Sequence, residues 1–298
     1  MMHMPTLKQL KYFCAVVESK HFGRAAKSCY VSQSTLSSGV AELEEKLEVT
    51  LLERDNKGIR LTAIGREIHQ RSMDILNSTG DLVSIASAAK EPFSTELRLG
   101  VIPTIAPFIL PTMLSHIRNK HPSFKIYVKE YLSRHLIDNL HSGDLDLLLL
   151  ALPFPADHVT TQHLFYDEFV LTCLPNYKLL KQKKLKVSDI KSEELLLLED
   201  GHCIRDHALD ACKMKADGLY SPYQATSLNT IIQMVANDMG VTILPKMAVD
   251  AKILRGTELS TKQFDEPHVW RSIGLMWRNK SPRQAEFRAM GQLILESL

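Results

Sequence analysis

The sequence predicts a multidomain α+β chain: a compact helical N-terminal segment closed by a two-stranded wing, one long helix, and a C-terminal region of two α/β lobes. Three observations carry this expectation. Short helical patterns of apolar residues fill residues 6–62, an unbroken helical pattern runs from Ala63 to about Ala89, and beyond Glu91-Pro92 strand-like and helical runs alternate. At 298 residues the chain has room for two or three compact domains. The expected division is 1–64, 65–92 and 93–298. Within the last, one lobe takes about 93–166 and 272–298, and the other about 167–271.

The first segment justifies itself helix by helix. Leu7, Leu10, Phe13 and Val17 recur at helical spacing, and Ala25, Ala26 and Tyr30 do the same. Ser32 is a natural N-cap for a helix whose buried stripe is Leu36, Val40, Leu43 and Leu47. Arg54-Asp55-Asn56-Lys57-Gly58 supplies turn residues between Leu51-Leu52 and Ile59-Arg60-Leu61, as a wing requires. A small-residue helix carrying Ala25-Ala26, followed by a helix with a polar first turn, is a helix-turn-helix. Ser32, Gln33, Ser34, Thr35 and Ser38 offer amide and hydroxyl groups to base edges and phosphates. Arg54, Lys57 and Arg60 in the wing would add backbone contacts that anchor without specifying sequence. Bulk charge gives no such hint: the chain is +2 overall, and residues 1–64 hold nine Lys/Arg against seven Asp/Glu.

The long helix carries Ile68, Ile75, Leu82 and Ala89 seven apart, with Ser72, Thr79 and Ala86 four beyond the first three. This a/d-like seam suits pairing between subunits, and equally a helix packed on its own domain. After it, Leu97–Ile102, Lys125–Glu130 and Leu145–Leu150 read as strands alternating with helices at Phe108–Lys120 and Ser133–Ser142. A second set follows at Phe169–Leu174, Leu195–Leu198, Arg205–Lys215, Leu228–Asp238 and Val241–Leu244. Arg271–Arg278 and Pro282–Leu298 close the chain as strand and helix. The βαβ rhythm predicts a mainly parallel sheet in two lobes with a cleft between them.

Composition excludes several classes. Hydrophobic content of 45% with 23% charged residues is that of a soluble globular protein. Met1–Pro5 carries no secretory pattern, and the apolar run Leu147–Leu152 is too short to span a bilayer, so no membrane association is expected. Five cysteines, an odd and irregularly spaced set, do not resemble a secreted disulfide scaffold. A cytoplasmic location is expected, where any disulfide would be transient and regulatory. G-x-G-x-x-G, Walker and H-E-x-x-H motifs are absent, so nucleotide and zinc-hydrolase chemistry have no support; no enzymatic activity, cofactor or resident metal is expected.

Among the cysteines, Cys203 draws attention. It sits where Leu197–Asp200 ends a strand, Gly201 turns and a helix begins, with His202, Arg205 and His207 nearby. A helix N-terminus and neighbouring cations stabilise thiolate. Cys212 lies nine residues on, which helical rise would hold ~13 Å away, whereas a disulfide needs ~5.5–6 Å between Cα atoms. Joining them would require unwinding the helix. The residues alone leave this open against two quiet core cysteines or a zinc site from His202, Cys203, His207 and Cys212, which lacks a C-x2-C knuckle. Cys14 and Cys29, on apolar helix positions, and Cys173, in a strand, read as core.

Two resemblances extend these readings. The stretch Leu7–Gly65, through Phe22-Gly23-Arg24-Ala25-Ala26, Val31-Ser32-Gln33, Leu36-Ser37, Leu43-Glu44, Leu51-Leu52-Glu53-Arg54 and Leu61-Thr62-x-x-Gly65, resembles the DNA-binding domain of LysR-type regulators. The resemblance implies a winged helix-turn-helix, a dimer through residues 65–90 and commonly a tetramer. Ser34 stands where that family usually has Pro, and Ala41 where a basic residue is frequent. Further on, Gly201-His202-Cys203-x-Arg205-Asp206 with Cys212 resembles the sensing loop of the peroxide-responsive OxyR subfamily. Gly100-Val101-Ile102-Pro103-Thr104-x-x-Pro107, Ala225-Thr226-Ser227-Leu228 and Arg271-Ser272-Ile273-Gly274-Leu275 resemble other segments of it, in the same order.

This second resemblance implies a periplasmic-binding-protein-like regulatory domain and an activator of the oxidative-stress response. It implies that hydrogen peroxide oxidises Cys203, which then forms a disulfide with Cys212. It further implies that Thr104 holds peroxide, Arg271 polarises the site and His202 orients the reduced form. Ser133 falls where the subfamily has a second peroxide-contacting Thr, keeping the hydroxyl without the methyl. The implied partners are promoter DNA, peroxide, RNA polymerase and a thiol reductant such as glutaredoxin or thioredoxin. The rival expectation is a LysR-type regulator answering a small organic effector in the inter-lobe cleft, its cysteines structural. A thiol peroxidase is a further rival, and the helix-turn-helix argues against it.

Overall fold

The computed structural model describes residues 4–55, 58–88, 93–191, 194–199, 203–211 and 225–298, and the chain divides into two compact units at Ala89/Lys90. In the N-terminal unit α1 (Leu7–Ser19), α2 (Phe22–Ser28) and α3 (Gln33–Leu47) precede the hairpin β1 (Leu52–Asp55) and β2 (Gly58–Leu61), and α4 (Ala63–Ala88) follows. Each of the three short helices starts on a polar side chain. The Thr6 hydroxyl accepts from the Gln9 N–H at 3.3 Å while the Gln9 side chain accepts from the Thr6 N–H at 3.0 Å. The His21 ring accepts from the Gly23 N–H at 3.0 Å, and the Ser32 hydroxyl from the Thr35 N–H at 3.1 Å. Phe13, Val16, Ala25, Leu36, Val40, Leu43 and Leu51 are fully buried between the helices and the wing. Leu47, expected in this stripe, is half-buried.

Motif residues that read only as a resemblance acquire physical reasons here. The Glu44 carboxylate accepts from the Leu51 N–H at 2.7 Å and the Leu52 N–H at 3.1 Å, pinning the approach to β1. The Thr62 hydroxyl donates to the Thr50 carbonyl at 2.8 Å and accepts from the Gly65 N–H at 2.9 Å, capping α4. A Cβ on Gly65 would lie 2.2 Å from the Leu51 carbonyl oxygen, so only glycine lets α4 start this close to the wing.

The expected seam of α4 divides. Ser72 is buried and Ile68 packs on the unit's own core, together with Leu76. Ile64, Ile75 and Leu82 are 40, 46 and 65% exposed. These three fall within ~20° of one another around the helix, a straight apolar line along its open face.

In the C-terminal unit β3 (Leu97–Val101), α5 (Ala106–Lys120), β4 (Ile126–Glu130), α6 (Ser133–Ser142) and β5 (Leu147–Leu152) come first. The long β6 (Val159–Cys173) follows, then β7 (Leu195–Leu196), α7 (Cys203–Ala211), α8 (Leu228–Ala236), β8 (Val241–Pro245) and α9 (Lys246–Asp250). The chain closes with β9 (Ser260–Gln263), β10 (Trp270–Arg278) and α10 (Gln284–Glu296). The strand order is β4-β3-β5-β10-β6-β8-β7, with β9 also on β6. β3 is parallel to β4 and β5, and β7 to β8. The sheet is nonetheless mixed, not mainly parallel. β10 runs antiparallel to β5 and β6, and β6 antiparallel to β8 and β9.

The reason is that β6 serves both lobes. It pairs with β10 from Val159 to Glu168, then with β8 from Phe169 to Thr172. The first half of β6 was not legible because its apolar alternation is broken by Thr160, Thr161, Gln162 and His163. Two apolar cores flank this strand. One is built on Leu97, Leu99, Leu147–Leu150, Ile273 and Trp277, the other on Phe169, Leu171, Ile232, Val235 and Leu244.

Candidate functional site

Two regions carry the residues expected to function. On the first, Ser32, Gln33, Ser34, Thr35 and Ser38 are all exposed at the start of α3, and Arg60 is exposed on β2. The Ser32 hydroxyl lies 2.8 Å from both the Ser34 and Thr35 hydroxyls, so the first turn presents a linked set of rotatable donors and acceptors. The Arg54 side chain and all of Lys57 lie outside the described residues. Sequence reasoning assigns Tyr30 to the apolar pattern of α2. It is instead 95% exposed, in a left-handed turn (φ 56°) directly before α3. An aromatic phenol there can reach a phosphate beside the reading helix.

The second region is built around Arg271. Its side chain is fully buried and every arm is occupied. Nε donates to Asp167 at 3.0 Å, Nη1 to the Thr104 hydroxyl at 2.9 Å, and Nη2 to the Thr104 carbonyl at 2.9 Å. Nη2 also lies 3.5 Å from the Met247 sulfur, and the Met247 N–H donates to Asp167 at 3.0 Å. Because Thr104 Oγ1 accepts from the guanidinium, its own proton is free to donate to a bound molecule. Burial pushes the Asp167 carboxyl above its ordinary value, against the pull of Arg271 and the Met247 N–H.

Thr104 lies in the β3–α5 turn, and Ser133 is the first residue of α6, after β4. Val101 and Glu130 are register partners in parallel strands, so both turns share one rim of the sheet. Ligands of open α/β sheets gather outside such carboxyl ends. Ser133 is 1% exposed, and its hydroxyl has no hydrogen-bond partner among the described residues. A buried hydroxyl left unpaired in this way is costly unless something small satisfies it.

Sequence reasoning missed Asp167 and Met247. The available signal was an acid in phase with the apolar residues Phe169 and Leu171. Its partner Arg271 sits directly opposite on β10, but 104 residues away in sequence.

Cys203 is the first residue of α7, which runs to Ala211. The Cys203 side chain, all of His202 and all of Cys212 lie outside the described residues, as does the expected pairing. Helix α7 packs against β10, the strand that carries Arg271, and its His207 ring nitrogen Nε2 lies 3.2 Å from the Pro153 carbonyl. Of the other cysteines, Cys14 is buried in α1, its thiol pushed up to about 12 by burial and by Glu18. Cys173, at the end of β6, is pushed up to about 11 by burial. Both stay protonated at neutral pH and are poor nucleophiles. Cys29, expected on a helix, is half-buried at the C-cap of α2. No helix among the described residues is long and apolar enough to cross a membrane.

A helix-turn-helix with an exposed polar reading face, followed by a two-lobed α/β unit with a polar rim, defines a ligand-responsive DNA-binding regulator. Comparison with known proteins agrees. Residues 7–66 match the family described as bacterial regulatory helix-turn-helix protein, lysR family, and residues 90–298 match the LysR substrate binding domain. The chain belongs to the LysR family of transcription regulators, which are not enzymes.

A probable hydrogen peroxide-inducible genes activator from Streptomyces viridosporus is 39% identical over 99% of this chain and 95% of its own length. The HTH-type transcriptional regulator EstR from Acinetobacter baylyi is 35% identical over 95% of this chain and 94% of its own. A full-length OxyR variant from Pseudomonas aeruginosa superposes with a TM-score of 0.79 at 31% identity, covering 98% of this chain and 95% of that one.

Proposed function

We propose that this regulator senses hydrogen peroxide through Cys203 and Cys212 and passes the signal to promoter DNA. The observation that carries the reading is the buried Arg271–Thr104 corner with the unpaired Ser133 hydroxyl on the same rim. A molecule as small as peroxide, with two donors and four lone pairs, suits two hydroxyls backed by a fixed cation. The peroxide named in the description of the Streptomyces relative supports the same ligand.

In the proposed sequence the Cys203 thiolate attacks one peroxide oxygen, the O–O bond breaks and hydroxide leaves. The product is a sulfenic acid, with sulfur oxidised by two electrons. Arg271, acting through Thr104, stabilises the charge developing on the leaving oxygen, Ser133 holds the second oxygen, and His202 orients the reduced site. The Cys212 thiol then displaces water from the sulfenic acid to form the disulfide. Ala211 lies eight steps along α7 from Cys203, a rise of ~12 Å, so the bond requires α7 to unwind. That local refolding is the switch. An external dithiol such as glutaredoxin or thioredoxin would reset it.

The exposed line Ile64, Ile75 and Leu82 on α4 supports a dimer through residues 65–90, with dimers pairing into a tetramer on the operator. Ser32, Gln33, Ser34, Thr35 and Ser38 would read bases, Arg54, Lys57 and Arg60 would grip phosphates, and the oxidised form would engage RNA polymerase.

A second reading has its own support, because EstR, whose name mentions no peroxide, matches this chain almost as well as the peroxide-inducible activators. In that reading a small organic effector occupies the same rim and the thiols are incidental. Free-thiol counting and disulfide mapping before and after stoichiometric peroxide separate the two. The peroxide reading requires a Cys203–Cys212 bond in the wild type and an altered operator footprint that Cys203→Ser loses. Persistence of the response in Cys203→Ser would transfer support to the effector reading.

A further inference from the structure

The stretch Lys178–Lys191 holds six lysines, Lys178, Lys181, Lys183, Lys184, Lys186 and Lys191, against one acid, Asp189. The whole chain has 36 Lys/Arg against 34 Asp/Glu, so without this stretch the remainder is net negative. The chain's positive charge is therefore concentrated here, in the second lobe, and not in the DNA-reading unit with its nine cations against seven acids. Lys181, Lys183, Lys184 and Lys186 are all exposed.

The segment is not a loose tail. Leu179, Leu185, Val187 and Ile190 are buried in the second core and anchor it. Asp265 accepts from the Leu185 N–H at 2.7 Å and Glu266 from the Val187 N–H at 2.5 Å. Lys262 donates to the carbonyls of Leu179 at 3.2 Å, Leu180 at 3.0 Å and Gln182. Asp265 and Glu266 thus face backbone amides and not the ammonium groups of the stretch. Lys178 and Lys191 share Glu194. Among the described residues none of Lys181, Lys183, Lys184 and Lys186 forms an ion pair.

We infer that the loop bearing Lys181, Lys183, Lys184 and Lys186 is a second, sequence-independent seat for duplex DNA on the regulatory unit. Four ammonium groups that pair with no acid among the described residues, on a backbone fixed in place, match a polyanion that carries a charge every ~1.7 Å of its axis. The stretch contains lysine and no arginine, so it offers point charges for phosphates and no planar fork for base edges. It also contains no aromatic residue on which a single strand could stack, and Tyr177 just before it is tied to Glu194. The helix-turn-helix of the same chain makes duplex DNA a polyanion that this protein meets. This inference does not depend on the thiol chemistry.

The test uses the full chain and a long mixed-sequence duplex, with affinity followed between about 50 and 200 mM salt. Replacing the four lysines together, as Lys181→Gln, Lys183→Gln, Lys184→Gln and Lys186→Gln, should flatten the log–log salt slope by ~2–4, at ~0.9 for each phosphate no longer neutralised. Affinity at low salt should fall at least tenfold. On the wild type, the duplex should protect these four amines from acetylation while exposed Lys252 stays reactive; this arm needs no variant to fold. An unchanged slope with unprotected amines would overturn the inference. So would unchanged DNA binding with lost promoter activation, which would assign the surface to a protein.

Discussion

The reading helix and the Arg271 corner solve opposite problems with similar groups. On α3 the functional hydroxyls and amide stand in water on a frame whose stability comes from Leu36, Val40 and Leu43 on the other face. At the corner the functional groups are themselves the interior: Arg271, Asp167, Thr104 and Ser133 are all nearly inaccessible. The comparison teaches that function and stability are separable in the first region and fused in the second wherever its groups bond one another, at Arg271, Asp167 and Thr104.

The sharpest way to break that contrast is Arg271→Met, which strands Asp167 as a buried, unpaired carboxylate. Loss of one partner of a buried pair costs about 3–5 kcal/mol. Urea unfolding should place that loss in the C-terminal unit alone, and thiol oxidation by peroxide should slow with it. If stability holds while oxidation slows, the two roles are not fused.

A smaller loss of about 1–3 kcal/mol is expected from Gly65→Ala, which drives a methyl into the Leu51 carbonyl. It should appear in the N-terminal unit's melt and leave peroxide reactivity intact.

Gln33→Ala should leave stability within about 0.5 kcal/mol yet cost about 1–3 kcal/mol of operator affinity, read by titration on footprinted DNA. Ser133→Ala should follow the same pattern from inside the second region. Deleting an unpaired buried hydroxyl should leave stability unchanged or slightly raised, while peroxide oxidation of Cys203 slows; Ser133→Thr should keep the rate.

The smallest effect is acid sensitivity. Burial lowers the His69 pKa below its ordinary 6.5, where the ring packs against Phe13. The unfolded chain then binds the proton more readily than the folded one. The stability this gives is complete above pH ~6.5 and is lost as pH falls below it towards the folded value, so the N-terminal unit's melting temperature should drop there. His69→Gln should flatten that dependence.

Much of the architecture was legible from the chain itself. The capped helices, the wing and the long helix announced themselves because their signals are local: Ser32 before an apolar stripe, turn-forming residue types between two short strands, a helical pattern free of proline. What failed was non-local. The direction of β10, the length of β6 and the Arg271–Asp167 pair depend on partners about a hundred residues apart, and no window of sequence contains both. The Glu44 and Gly65 contacts were visible only as family pattern, since their partner is the backbone of Leu51 and Leu52. Tyr30 misled because an aromatic at helical spacing reads as core, whereas the left-handed turn aims it outward.

The strand shared by the two lobes has a consequence for what the molecule can tolerate. Alternate residues of β6 face opposite ways, and its pairing passes from β10 to β8 between Glu168 and Phe169. A single residue inserted at that junction would turn every side chain beyond it over, exchanging the Phe169, Leu171 and Cys173 face with the Val170 and Thr172 face where both are buried. Two residues would restore the phase but push one lobe along by a full pleat. The lobes therefore cannot drift apart by small steps in either melting or descent: they keep time with each other, because they are written on one thread.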